Sequence, residues 1–109
     1  MSKKVSDILP KTEILAQLAE EASELAQAAL KLRRALDGTN PTPKSVAECK
    51  ANLREEFADI DNVTSALCDA WFGNDFESEN DFWNAVREIE DNKYFRWLSR
   101  LEAKEQPNE

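Results

Sequence analysis

The chain has 109 residues, with 22 Asp+Glu against 14 Lys+Arg and a net charge of −8. A field of that sign disfavours nucleic-acid polymers and anionic membrane as partners, and the length allows a single domain. With no histidine anywhere, His-based catalysis and His-ligated zinc are excluded from one chain. Two Gly and four Pro are too few punctuators for strands and hairpins, so an all-α fold is expected over residues 1–109. No run reaches the roughly 18 apolar residues of a membrane span. Met1-Ser2-Lys3-Lys4 leads into polar sequence without an apolar signal core, and Cys49 and Cys68 lie in apolar stripes with no metal spacing. A cytoplasmic protein with reduced core thiols is the expectation.

Residues 1–11 read as a short helix or arm ending near Pro10. From Thr12 a long helix is expected, with Leu18, Ala22, Leu25, Ala29, Leu32 and Leu36 alternating in steps of four and three as its apolar seam. Asp37-Gly38-Thr39-Asn40-Pro41-Thr42-Pro43 stops it with a C-terminal Gly and two prolines. Lys31, Arg33 and Arg34 place positive charge towards that end, as the helix dipole favours.

Ser45-x-x-Glu48 is a capping box opening a second helix. Its expected face is Val46, Cys49, Leu53, Phe57, Ile60, Thr64, Leu67 and Trp71, and Phe72-Gly73-Asn74-Asp75 breaks it. Ser78 or Asn80 can cap a last helix whose apolar positions are Phe82, Val86, Ile89, Trp97 and Leu101. The tail from about residue 105 should fray. Three helices of this size leave apolar stripes uncovered, and Trp71, Phe82 and Trp83 add aromatic surface, so self-association is expected.

Two acidic clusters interrupt these helices, Glu20-Glu21-Ala22-Ser23-Glu24 and Glu55-Glu56-Phe57-Ala58-Asp59. Residues three apart are neighbours on a helix, so Glu21/Glu24 and Glu56/Asp59 each present two carboxylates on one side. At about 100° per residue, Glu21 and Glu24 lie roughly 60° and 120° from the expected seam, and Glu56 and Asp59 roughly 50° and 110° from theirs. Each pair thus sets one carboxylate at the edge of the buried face and its partner a turn further out. Glu20 and Glu55 point further away. If the helices pack, four carboxylates converge on one hard divalent cation such as Mg²⁺, which removes their mutual repulsion.

Glu20-Glu21-x-x-Glu24 followed by Glu56-x-x-Asp59 resembles the EExxE…ExxD signature of the MazG-like, all-α nucleoside triphosphate pyrophosphohydrolases. Glu20–Ala28, the connector Gly38–Pro43 and Asn52–Asp59 look like the small single-domain bacterial and phage members, and the resemblance covers roughly residues 13–70. It implies hydrolysis of an NTP or dNTP between the α- and β-phosphates to the monophosphate and pyrophosphate. It also implies a helical bundle assembled as a homodimer or dimer of dimers. Carried over, Glu21, Glu24, Glu56 and Asp59 would be the Mg²⁺ ligands, with Mn²⁺ as a substitute and Glu20 assisting. A carboxylate of this set, or the metal itself, would activate the water. Lys93 and Arg96, within Lys93-Tyr94-Phe95-Arg96, match a basic element of the last helix that meets the phosphates, and Asn62 is a candidate for base or sugar. The longer RRxxP-type tail of some members is absent. Two other readings stand beside this one: phosphoribosyl-ATP pyrophosphohydrolase, and a non-catalytic helical interaction module whose carboxylates form a solvated face.

Overall fold

The computed structural model describes residues 3–39 and 44–105, and among them it is helical with no strand. A 3-10 turn, Val5–Asp7, precedes α1 (Lys11–Asp37), α2 (Val46–Phe72) and α3 (Phe76–Glu105). The chain forms two compact units, Met1–Gly73 and Asn74–Glu109. No helix among the described residues is long and apolar enough to cross a membrane.

The first unit is a hairpin of α1 and α2, with the N-terminal turn laid on α2. Lys4 Nζ lies 3.8 Å from Asp69 Oδ1 at one end, and Glu21 lies beside Glu56 further along, so the helices run antiparallel. Local chemistry sets each boundary. Pro10, in extended conformation, is the N-cap of α1, where its missing N–H costs nothing. Gly38 closes α1 at φ 69°, in the left-handed region that favours glycine. Ser45 Oγ accepts from the Glu48 amide at 3.1 Å, while Glu48 Oε1 accepts from the Ser45 amide at 3.4 Å, which is the expected capping box. Asn40–Pro43 of the connector lie outside the described residues.

Part of each expected seam is corrected by one residue: 22, 29 and 36 on α1 give way to 21, 28 and 35, and 57 and 71 on α2 to 56 and 70. On α1, Ile14 and Ala28 are buried and Leu18, Glu21, Leu25, Leu32 and Ala35 half-buried, whereas Ala22, Ala29 and Leu36 are exposed. On α2, Cys49 and Ala66 are buried and Val46, Leu53, Glu56, Ile60, Val63, Thr64, Leu67 and Ala70 half-buried. Phe57 and Trp71 remain 56% and 58% exposed. The physical reason is the same in both helices. Leu18, Leu25 and Leu32 belong equally to a stripe through 22, 29 and 36 and to one through 21, 28 and 35, because a seam admits either an i+3 or an i+4 step. Packing selected the second stripe, and with it Glu21 and Glu56 instead of Ala22 and Phe57. Cys49 is buried and Cys68 half-buried, both as thiols.

The second unit is α3. Its N-cap is Asp75 and not Ser78 or Asn80: Asp75 Oδ1 accepts from the Ser78 amide at 3.1 Å and Oδ2 from the Ser78 hydroxyl at 2.7 Å. A carboxylate is the stronger acceptor and suits the positive end of the helix dipole, so Ser78 acts as a donor three residues inside. α3 has no buried residue. Trp83 and Val86 are half-buried, and Phe82 and Ile89 are exposed. Tyr94, Trp97, Leu98 and Leu101 line a shallow apolar groove near its end, where the Tyr94 and Trp97 rings meet edge to face at 6.1 Å.

Candidate metal centre

Each helix of the hairpin brings its acidic pair to the shared interface. Glu21 and Glu24 from α1 and Glu56 and Asp59 from α2 each offer one carboxylate oxygen, and the four oxygens lie within 4.8 Å of one another. Glu21 and Glu56 are half-buried, and Glu24 and Asp59 are exposed. The inner pair sits on the seam and the outer pair opens to solvent, so the cluster is closed on the hairpin side and accessible from outside.

The electrostatics are unfavourable for the bare carboxylates. Glu21 Oε2 and Glu56 Oε2 are both shielded from solvent and have no hydrogen-bond partner. Charged oxygens in that condition carry a desolvation cost that nothing nearby offsets. The Glu24 carboxyl is held above its ordinary value, first by the negative charge of Glu21, then by desolvation, the charge of Glu56, a hydrogen bond with Glu21 and the charge of Glu20. Four carboxyl groups, acceptor-only when ionised, with two orphaned oxygens and mutual repulsion are a donor set suited to a hard divalent cation. Softer metals that prefer sulfur or imidazole have no ligand in this group.

The other candidate residues fall differently. Glu20 is exposed and acts on the cluster through its charge at Glu24. Asn62 is exposed on α2, one turn beyond Asp59, and is not one of the converging groups. Lys93 and Arg96 are exposed on α3, in the second unit. The structure adds Gln17, whose Nε2 donates to Glu21 Oε1 at 3.0 Å. The signal for it in the sequence is only the i,i+4 spacing of Gln17 and Glu21, a common helix pair.

No family model, no curated protein and no solved structure matches the chain.

Proposed function

We propose that the chain is a Mg²⁺-dependent nucleotide pyrophosphohydrolase of the MazG-like type. It would hydrolyse a nucleoside triphosphate between the α- and β-phosphates to give the monophosphate and pyrophosphate. The observation that carries this reading is the pair of orphaned oxygens, Glu21 Oε2 and Glu56 Oε2, inside a group of four carboxylates from two helices. A solvated acidic face would leave its oxygens to water, whereas these two are withdrawn from it.

In this reading Glu21, Glu24, Glu56 and Asp59 hold Mg²⁺, or Mn²⁺ in its place. A cation held there would neutralise phosphate charge and lower the pKa of a water it binds. The inner pair, Glu21 and Glu56, lies half-buried on the seam and would hold the ion from the hairpin side. The outer pair, Glu24 and Asp59, is exposed and lies on the side from which a triphosphate arrives. Glu24, whose carboxyl is raised above its ordinary value by the neighbouring carboxylates, would be held as a carboxylate ligand by the ion, and a carboxylate of this set, or the metal itself, would activate the water. Glu20 adds negative charge at the rim. By the same resemblance Lys93 and Arg96 of the second unit are the counterparts of the basic element that meets phosphates, and Asn62 is the candidate contact for base or sugar.

A second copy of the chain completes the assembly in this reading, as a homodimer or dimer of dimers. Phe57, Trp71, Leu30 and Leu36 on the hairpin, and Phe95 and Trp97 on α3, are each more than half exposed, and aqueous solvent is a poor cover for them.

The test is pyrophosphate release from a panel of NTPs, dNTPs and phosphoribosyl-ATP, with Mg²⁺ or Mn²⁺ and an EDTA control. Metal-dependent release with the monophosphate as co-product is expected. Absence of release from every member, together with a melting temperature indifferent to millimolar Mg²⁺, would overturn the reading in favour of a helical interaction module.

A further inference from the structure

Of the four carboxylates that converge, Glu21 differs from the others in having one oxygen engaged by a side chain of its own helix outside the cluster. Gln17 Nε2 donates to Glu21 Oε1 at 3.0 Å, from one turn earlier on α1. The other oxygen, Oε2, is shielded from solvent and has no partner. The division of the two oxygens has a direct consequence. A carboxylate accepts at either oxygen, and a free Glu21 would rotate about its last torsion, broad and roughly two-fold in its energy, to offer either one. With Oε1 accepting from the amide, the shielded Oε2 is the oxygen left without a partner. The amide orientation follows from chemistry, because only the NH₂ end of Gln17 can meet a carboxylate.

We propose that Gln17 is a positioning residue for the metal centre. Its amide engages Oε1 of Glu21 and so leaves the solvent-shielded Oε2 as the oxygen offered to a divalent cation. This rests on the metal reading above. The residue type suits the task. Gln17 is neutral, so it orients the carboxylate without adding a positive charge that would repel the cation. A Lys at the same place would pair with Glu21 and compete with the ion for it. Partners that orient metal-binding carboxylates typically contribute 10–100-fold in metal affinity. Gln17 is exposed, so its contribution should sit at the lower end, about 10-fold.

The experiment compares the intact chain with Gln17→Met, which keeps side-chain length and helix propensity but removes the donor, and with Gln27→Met. Gln27 is an exposed residue of the same helix that is not among the converging groups, and it makes the same chemical change elsewhere. Mg²⁺ alone is titrated by isothermal calorimetry, and melting is followed in EDTA. The expected result is a Kd for Mg²⁺ raised about 10-fold in Gln17→Met, unchanged affinity in Gln27→Met, and melting in EDTA within a degree or two for all three. Equal Mg²⁺ affinity in all three proteins would overturn the positioning role while leaving the metal reading standing. No Mg²⁺ binding by the unsubstituted chain would overturn both. An equal loss of affinity in Gln17→Met and Gln27→Met would assign the effect to α1 in general and refute the specific role.

Discussion

Replacing Glu56 by Gln tests the charge balance of the cluster independently of any turnover. The substitution keeps the size of the side chain and removes one negative charge from a half-buried position. Glu21 and Glu56 place oxygens within 4.8 Å of each other. Two like charges at that distance repel by about 1 kcal/mol in a water-like medium and about 3.5 kcal/mol at the effective dielectric typical of pairs near a protein surface. The buried, unpartnered Oε2 of Glu56 is also replaced by an amide, and one end of that amide can donate to a neighbouring carboxylate. In EDTA, Glu56→Gln should therefore melt above the unsubstituted protein. At about 4–8 °C per kcal/mol for a unit of this size, the gain should be at least about 4 °C. With Mg²⁺ the order should narrow or reverse. A ligand at about 100 times its Kd stabilises by about 2.7 kcal/mol, and the variant forfeits most of that increment. The assay is thermal melting followed by circular dichroism, with EDTA and with millimolar Mg²⁺. A variant that melts below the unsubstituted protein in EDTA, yet shows the same Mg²⁺ shift, would refute both the repulsion argument and the ligand assignment.

Glu56→Ala should abolish metal-dependent pyrophosphate release while the circular dichroism spectrum stays helical; near-normal turnover would remove Glu56 from the ligand set. Mg²⁺ affinity should weaken as pH falls. The Glu24 carboxyl is raised above its ordinary 4.5, so protons begin to compete with the cation from above that value, and calorimetry across pH 4.5–7.5 reads the slope. In metal-free protein the same shift means that Glu24 binds its proton more tightly folded than unfolded. Its contribution to stability is therefore greatest in acid and is lost as pH rises through the raised value. Asp75 has the opposite sign: its carboxyl is lowered from 3.8, chiefly by the hydrogen bond from Ser78. Its stabilising effect is present above the ordinary value and lost as pH falls through the lowered one, so Asp75→Ala should flatten the acid limb of the stability profile. Ser45→Ala should cost about 1 kcal/mol by denaturant unfolding through loss of the α2 cap, with no change in Mg²⁺ affinity. If the exposed hairpin face is covered by a second copy, Phe57→Lys should lower the mass seen by sedimentation at micromolar concentration, and an unchanged mass would exclude Phe57 from that contact.

The ends of the helices were legible because they depend on neighbouring residues alone. The Ser45–Glu48 box, the left-handed Gly38 and the break at Gly73 each follow from a few side chains and a local backbone conformation. The one misplaced start, at Asp75, was a competition between several polar residues in sequence. There the charged acceptor outranked the serine three positions on.

The spacing of Glu21, Glu24, Glu56 and Asp59 along two helical patterns already paired them on matched sides of their helices, because helical geometry is the same everywhere along a chain. Of two equally spaced stripes, however, it pointed to the one that does not turn inward. Leu18, Leu25 and Leu32 serve both stripes, and Ala22, Ala29 and Leu36 are more apolar than Glu21, Ala28 and Ala35, so apolarity alone favoured the stripe that stays outside. That choice is made by the partner helix, which must interlock with one stripe along its whole length. Packing α1 against α2 turned Glu21 and Glu56 onto the seam and left Phe57 and Trp71 outside. It also brought together carboxylates some thirty-five residues apart in the chain. The withdrawal of Glu21 Oε2 and Glu56 Oε2 from solvent has no counterpart in the sequence, because the shielding of an oxygen depends on atoms that only the folded hairpin brings near it.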